Sequence, residues 1–279
     1  MSDMRVALIG CGNIGADICI ALRRGEIPAT VVALHDVDPE RANLLKRTFR
    51  LEAAVTDLAA AVSACDFVVE CASADVVRPV LEHAMEHHRD CLVLSVAGLV
   101  AHLELVAEAR RRNIEVRIPS GAACGIDGIR AAMEAGLHSV VVTTRKPPRG
   151  LEGAPYLKQH GVNLSLLTEP RVLFEGNALE ASRAFPANVD VACAVSIAGI
   201  GPLETMVRVI ADPNATENSH EVAAEGAFGR LKTVTTNLPS PRNAKSSYLA
   251  SLSAVAELRQ AALAHAAHAQ YAGEGGAAT

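Results

Sequence analysis

Apolar positions along this chain fall into short unbroken runs, separated by longer stretches in which apolar residues recur at helical spacing. Val6 to Ile9, Thr30 to Leu34, Asp66 to Cys71, Cys91 to Val96 and Ile114 to Ile118 have strand length. A continuous apolar run marks a strand covered on both faces, because a solvated face would impose alternation. The stretches between them read as helices: Ile14 to about Arg24, the segment after Asp38, Ala74 to His88, and Ala101 to Arg111. Asp38 is placed to cap its helix, with Pro39 and Glu40 in the first turn. Alternating strands and helices predict an α/β fold whose N-terminal part, residues 1–119, is a Rossmann-type doubly wound parallel sheet.

From Gly125 the pattern changes. A helix over Ile126 to Ala135 leads into a β-branched run, Ser139 to Arg145, and then into the charged loop Lys146-Pro147-Pro148-Arg149-Gly150. Arg171 to Glu175, Leu203 to Asp212, Ser219 to Ala223 and Arg230 to Thr236 read as strands, and Val189 to Ile200 as an almost wholly apolar helix. Mostly β segments with a few helices predict a second, α+β domain over 120–242 carrying an open mixed sheet. A long Ala/Leu helix from Asn243 to about Gln270 is expected to pack back across the domains, with 271–279 a disordered tail.

Composition narrows the core. Aromatics make up 3% of the chain and Trp is absent, so Ala, Val, Leu and Ile must fill the interior, as they do in parallel sheets flanked by helices. A net charge of −5 gives no basic footprint for nucleic acid. No apolar run approaches the ~20 residues that span a bilayer, and no basic-then-apolar leader opens the chain, so a cytoplasmic protein is expected. The seven cysteines include no C-x-x-C pair and read as reduced, mostly buried small hydrophobes.

Chemistry enters with Gly10-Cys11-Gly12-Asn13-Ile14-Gly15, which joins the first strand to the first helix. Gly10 permits the tight turn, Gly12 lets backbone approach a pyrophosphate, and Gly15 lets the helix pack close. Asn13 and Ile14 then offer free N–H groups at the helix start. Asp36 closes the second apolar run at the distance where an acid accepts from the ribose hydroxyls and repels a 2′-phosphate, which predicts NAD, with NADP possible because His35 and Arg41 are near. Ligands of such sheets lie at the carboxyl ends of the strands, where the loops at 71–74, 95–98 and 119–122 are rich in small residues; such residues also simply permit tight turns. His83 and His87 are spaced to share a metal, but among Glu82, Glu86, His88 and Arg89 they read as a solvated face, so no metal is expected. His220 follows the turn-forming segment 211–218 at a strand start, a position that delivers a side chain to a cleft.

Further residues carry a resemblance to the L-aspartate dehydrogenases over nearly the whole chain. These are Thr144-Arg145-Lys146-Pro147-Pro148, Phe185 to Ala192, Ile210-Ala211-Asp212-Pro213 with Asn218-Ser219-His220, Gly226-Ala227-Phe228-Gly229, and Asn243-Ala244-Lys245-Ser246-Ser247. The resemblance implies reversible NAD(P)-dependent oxidative deamination of L-aspartate and a place in pyridine nucleotide biosynthesis. It makes His220 the catalytic histidine and brings Ala122 and an asparagine of the Asn188 region to NAD. The family often has asparagine where Asp190 stands and proline where Ala244 stands, so Asn188 and Asp190 both remain candidates for the nicotinamide end. A dicarboxylic amino acid needs cations or N–H donors, and Arg145, Lys146, Lys245 and Ser246 are the candidates. A homodimer formed through the open sheet is expected. A dihydrodipicolinate-reductase-like or homoserine-dehydrogenase-like oxidoreductase would share the glycine turn and differ in the second domain; an NAD-sensing protein would not need His220 and Lys245 together.

Overall fold

The computed structural model describes residues 3–275, apart from the side chains of 243–245 and 271–275. It divides into two compact units: the chain up to Leu94, Leu103–Pro119 and the part from Ser251 form the first, while Ser95–His102 and Ser120–Ala250 form the second.

In chain order the first part runs β1 (Met4–Ile9), α1 (Asn13–Arg23), β2 (Ala29–His35), α2 (Pro39–Phe49), β3 (Ala54–Val55), α3 (Leu58–Ser63), β4 (Phe67–Glu70), α4 (Ala74–Glu86), β5 (Asp90–Val93), α5 (Val96–Val100), α6 (Leu103–Arg111) and β6 (Val116–Arg117). The six strands form one parallel sheet in the order β3-β2-β1-β4-β5-β6, so the doubly wound reading holds. Its order reverses between β1 and β4, the switch point where such sheets take a ligand. Val6, Leu8, Ile18, Leu34, Val69 and Leu92 are buried in its core, and Leu258 and Ala262 of the last helix join them. Asp38 caps α2 as expected, its Oδ1 accepting from the Glu40 N–H at 3.1 Å. The short β3 and α3 carry too few residues to show a period. The helix expected over 101–111 is α6, starting at Leu103, and the loop expected at 95–98 opens a short extra helix, α5.

The second part continues with α7 (Ile126–Ala135), β7 (Leu137–Lys146), α8 (Pro155–Gln159), β8 (Arg171–Asn177), α9 (Ala178–Ala184), α10 (Asp190–Ala198), β9 (Met206–Ala211), β10 (Asn218–Gly226), β11 (Gly229–Asn237), β12 (Pro239–Ser240), β13 (Asn243–Ser247) and α11 (Tyr248–Gly275). Its five-stranded sheet, β11-β10-β7-β9-β8, is mixed: β7 and β9 are parallel and the other pairs antiparallel. Helices α7, α9 and α10 pack on it. The last helix starts later than expected. Residues 243–247 pair with β12 as a short hairpin, because Pro241 makes a turn and the polar run with two serines is a poor helix start. That helix also runs to Gly275, so part of the expected tail is helical, and 276–279 lie outside the described residues. No helix among the described residues is long and apolar enough to cross a membrane.

Candidate active site

In the first unit the glycine turn forms a cradle. Gly10 has φ +102°, and a Cβ there would lie 2.6 Å from the Cys71 carbonyl, so this position admits only glycine where β1 and β4 meet. A Cβ on Gly12, by contrast, would meet nothing within 4 Å. Gly12 is the N-cap of α1 with no side-chain cap, so the first N–H groups of the helix, from Asn13, Ile14 and Gly15, have no partner within the helix. A pocket of about 200 Å³ adjoins the turn, lined among others by Gly10, Gly12, Asp36, Val37, Arg41 and Ala72. Asp36 is held there by two backbone N–H groups, Cys11 at 2.8 Å to Oδ2 and Asp38 at 3.0 Å to Oδ1. The Cys11 thiol is pushed up to about 12 by burial and by the Asp36 charge, so it stays neutral beside the cradle. These features fit a dinucleotide: donors for a pyrophosphate, no Cβ in its way, and a fixed carboxylate at ribose distance.

In the second unit the side of the sheet that carries Val140 and Val142 of β7 and Val222 and Ala224 of β10 is buried and apolar. At one end it turns polar. Thr144 and Lys146 follow on β7, His220 and Asn218 on β10, and Thr235 and Asn237 stand opposite them on β11. Thr144 and His220 are register partners, and Thr144 Oγ1 lies 3.1 Å from His220 Nδ1. Around this end, Thr235 Oγ1 donates to the Ala122 carbonyl at 2.7 Å and Asn237 Nδ2 does so at 3.1 Å. At the start of α10, Asp190 Oδ1 accepts from the Ala97 N–H at 2.9 Å, and Asn188 Nδ2 donates to the Gly150 carbonyl at 2.8 Å.

Burial sets the charges. His220 is 3% exposed, and desolvation, reinforced by the Lys146 charge, lowers its pKa to about 3. Lys146 is 4% exposed; burial lowers its ammonium to about 8 against the opposing pull of Asp190. Asp190 keeps part of its surface open, yet its carboxyl is deep enough for burial to raise it to about 6, against the Ala97 and Val96 N–H groups and Lys146. Between about pH 6 and 8 the three are therefore carboxylate, ammonium and neutral imidazole.

The structure gathers some of the expected residues and separates others. His220, Lys146, Asp190, Asn188 and Ala122 belong to this one unit. Arg145 alternates with Lys146 along β7 and so stands on the opposite face of the sheet, where it is 43% exposed and paired with Asp212 at 2.9 Å. His220, expected to reach a cleft, is buried on the polar side of the sheet with Thr144 as its register partner. Ser246 is half-buried in β13, and the Lys245 side chain lies outside the described residues. Cys124 is exposed, unlike most of the other cysteines. His83, Glu86 and His87 bring one ligand atom each within 4.8 Å on the surface of α4. Thr235 and Asn237 escaped the sequence reading, and Thr144 and Asn218 entered it only within the motifs of the resemblance, without a role of their own. The alternation of β7 and β10 carries a signal for them, since polar residues continue the apolar side of both strands.

Two family models match the chain. "Homoserine dehydrogenase, NAD binding domain" covers residues 10–119, and "Aspartate dehydrogenase, C-terminal" covers 127–261. A curated L-aspartate dehydrogenase of Methanosarcina mazei is 47% identical over 92% of this chain and 96% of its own length. That of Bradyrhizobium diazoefficiens is 38% identical over 93% and 92%. Among solved structures, aspartate dehydrogenase from Thermotoga maritima shares the fold, with a TM-score of 0.67 at 23% identity over 91% of this chain and 93% of the other.

Proposed function

Because the chain belongs to the L-aspartate dehydrogenase family, we propose that it catalyses the reversible oxidative deamination of L-aspartate to iminoaspartate, which water converts to oxaloacetate and ammonia. The observation that carries this reading is the polar end of the second sheet, where a neutral histidine, a lysine close to neutrality and a carboxylate are assembled at the end of an otherwise apolar face. A bound nicotinamide supplies the two-electron acceptor chemistry. The rest falls to the chain. Gly12 and the N–H groups of Asn13, Ile14 and Gly15 hold the phosphates, and Asp36 accepts from the ribose hydroxyls. Its charge favours NAD over NADP, while His35 and Arg41, which line the same pocket, temper that preference.

Lys146, as the free amine, takes the proton that the substrate ammonium must lose before its Cα–H bond can break. His220, neutral over the working range and held at Nδ1 by Thr144, orients the water that attacks the imine. Ala122 and Asn188 contact the cofactor, and Asp190 serves Lys146, since its carboxylate is already engaged by Ala97. Lys245, Ser246 and Arg145 are the donors proposed for the substrate carboxylates. Arg145 has the weakest claim, because Asp212 already holds it. We place the enzyme in the cytoplasm as a homodimer.

A panel of amino and hydroxy acids, followed at 340 nm with NAD and with NADP, tests the reading. L-Aspartate should be the amino acid oxidised; oxidation of a hydroxy acid in its place would overturn it.

A further inference from the structure

Asn218 opens β10, two residues before His220 and on the same face. It is 1% exposed. Its Nδ2 donates to Ser247 Oγ at 3.2 Å, and its Oδ1 is buried with no hydrogen-bond partner among the described residues. Folded chains leave few buried acceptors unpaired, because the lost hydration is not repaid, so each one calls for a reason. The surroundings supply it. A Cβ built on Gly150 would lie 3.8 Å from Asn218 Oδ1 and 3.5 Å from both Cβ and Cδ of Lys146, so Gly150 packs over the two side chains together. The Gly150 carbonyl is itself held by Asn188. The orphan oxygen and the stem of the lysine proposed to take the proton thus share the space beneath Gly150.

We propose that Asn218 Oδ1 accepts an N–H of the substrate amine, and of the imine formed from it, and so makes the site select nitrogen over oxygen. This rests on the dehydrogenase reading above. After the ammonium has given one proton to Lys146, the amine still carries N–H donors, and the protonated imine carries two donors and no acceptor. The ketone of oxaloacetate carries only acceptor lone pairs. Facing Asn218 Oδ1, it would leave two acceptors opposed and neither satisfied. A site that pairs with an N–H rejects the analogue without one far more strongly than an apolar pocket could. In the reductive direction this favours aspartate over malate from the same oxaloacetate.

The test incubates purified enzyme with oxaloacetate, NADH and ammonium, and measures aspartate and malate. In Asn218→Leu, amination should fall roughly ten- to a hundredfold in kcat/KM, with a raised KM for ammonium. Malate formation should persist or rise, and NADH binding by fluorescence titration should not change. Asn218→Asp keeps an acceptor and should keep the preference for aspartate. If Asn218→Leu does not fold, Asn218→Ala withdraws the oxygen and reads out the same product ratio. Parallel loss of both products, or no change in their ratio, would overturn the assignment. A wild-type enzyme that makes no aspartate would instead overturn the dehydrogenase reading beneath it.

Discussion

At the scale of single residues, the roles proposed for Asp36 and His220 rest on different physical grounds. The Asp36 carboxylate is pinned by two backbone N–H groups, so it cannot swing away from a 2′-phosphate. Asp36→Ala should therefore narrow the ratio of kcat/KM between NAD and NADP, and a wild type that already prefers NADP would contradict this role. Burial keeps His220 a neutral ring. A side chain positioned to act through a reacting water contributes about 10²–10⁴-fold, so His220→Ala should lower kcat by that order while NAD affinity, assigned by the proposal to the glycine cradle, survives. The substitution also removes a buried ring and strands Thr144 Oγ1, at a cost of about 1–3 kcal/mol in stability. Titration calorimetry with NAD beside a urea melt separates the two effects; full kcat in a folded variant would make the histidine structural.

At the scale of elements, the start of α10 sets the poise of the β7 lysine. Asp190 stands in the first turn of α10 and raises the Lys146 pKa, while burial lowers it to about 8. The kcat/KM for aspartate should rise with pH through that value if, as proposed, the free enzyme must offer the unprotonated amine. Lys146→Arg, which cannot lose its proton, should remove both the limb and most of the activity. Asp190→Asn keeps an oxygen for the Ala97 N–H but withdraws the charge, so the limb should move to lower pH. A limb that stays in place in Asp190→Asn would detach Lys146 from it.

At the scale of the whole molecule, the same buried groups make stability depend on pH. His220 titrates near 6.5 when unfolded and near 3 when folded. The unfolded chain thus binds the extra proton between these values, and stability is lost as pH falls through that window. Asp190, raised to about 6, acts oppositely from about pH 4 to 6, because there the folded state holds the proton. His220→Ala deletes only the first contribution, so between pH 6.5 and 4.5 its urea midpoint should fall less than that of the wild type. Parallel falls would place the ring in a less buried setting. Much of this molecule is written locally. Unbroken apolar runs dictate a sheet covered on both faces and the glycine turn dictates the cradle, whereas only the observed extension of β7 to Lys146 puts Thr144 and Lys146 on one side and Arg145 on the other. The runs and the glycine turn depend on neighbours in the chain, and a periodicity or a missing Cβ is visible there. Tertiary structure alone decided the rest. Asp190 meets the Ala97 N–H across 93 positions, His220 loses its charge, and Asn218 keeps a bare oxygen. Each of these follows from which groups burial leaves beside one another, and desolvation is a property of the folded surroundings and not of the residue.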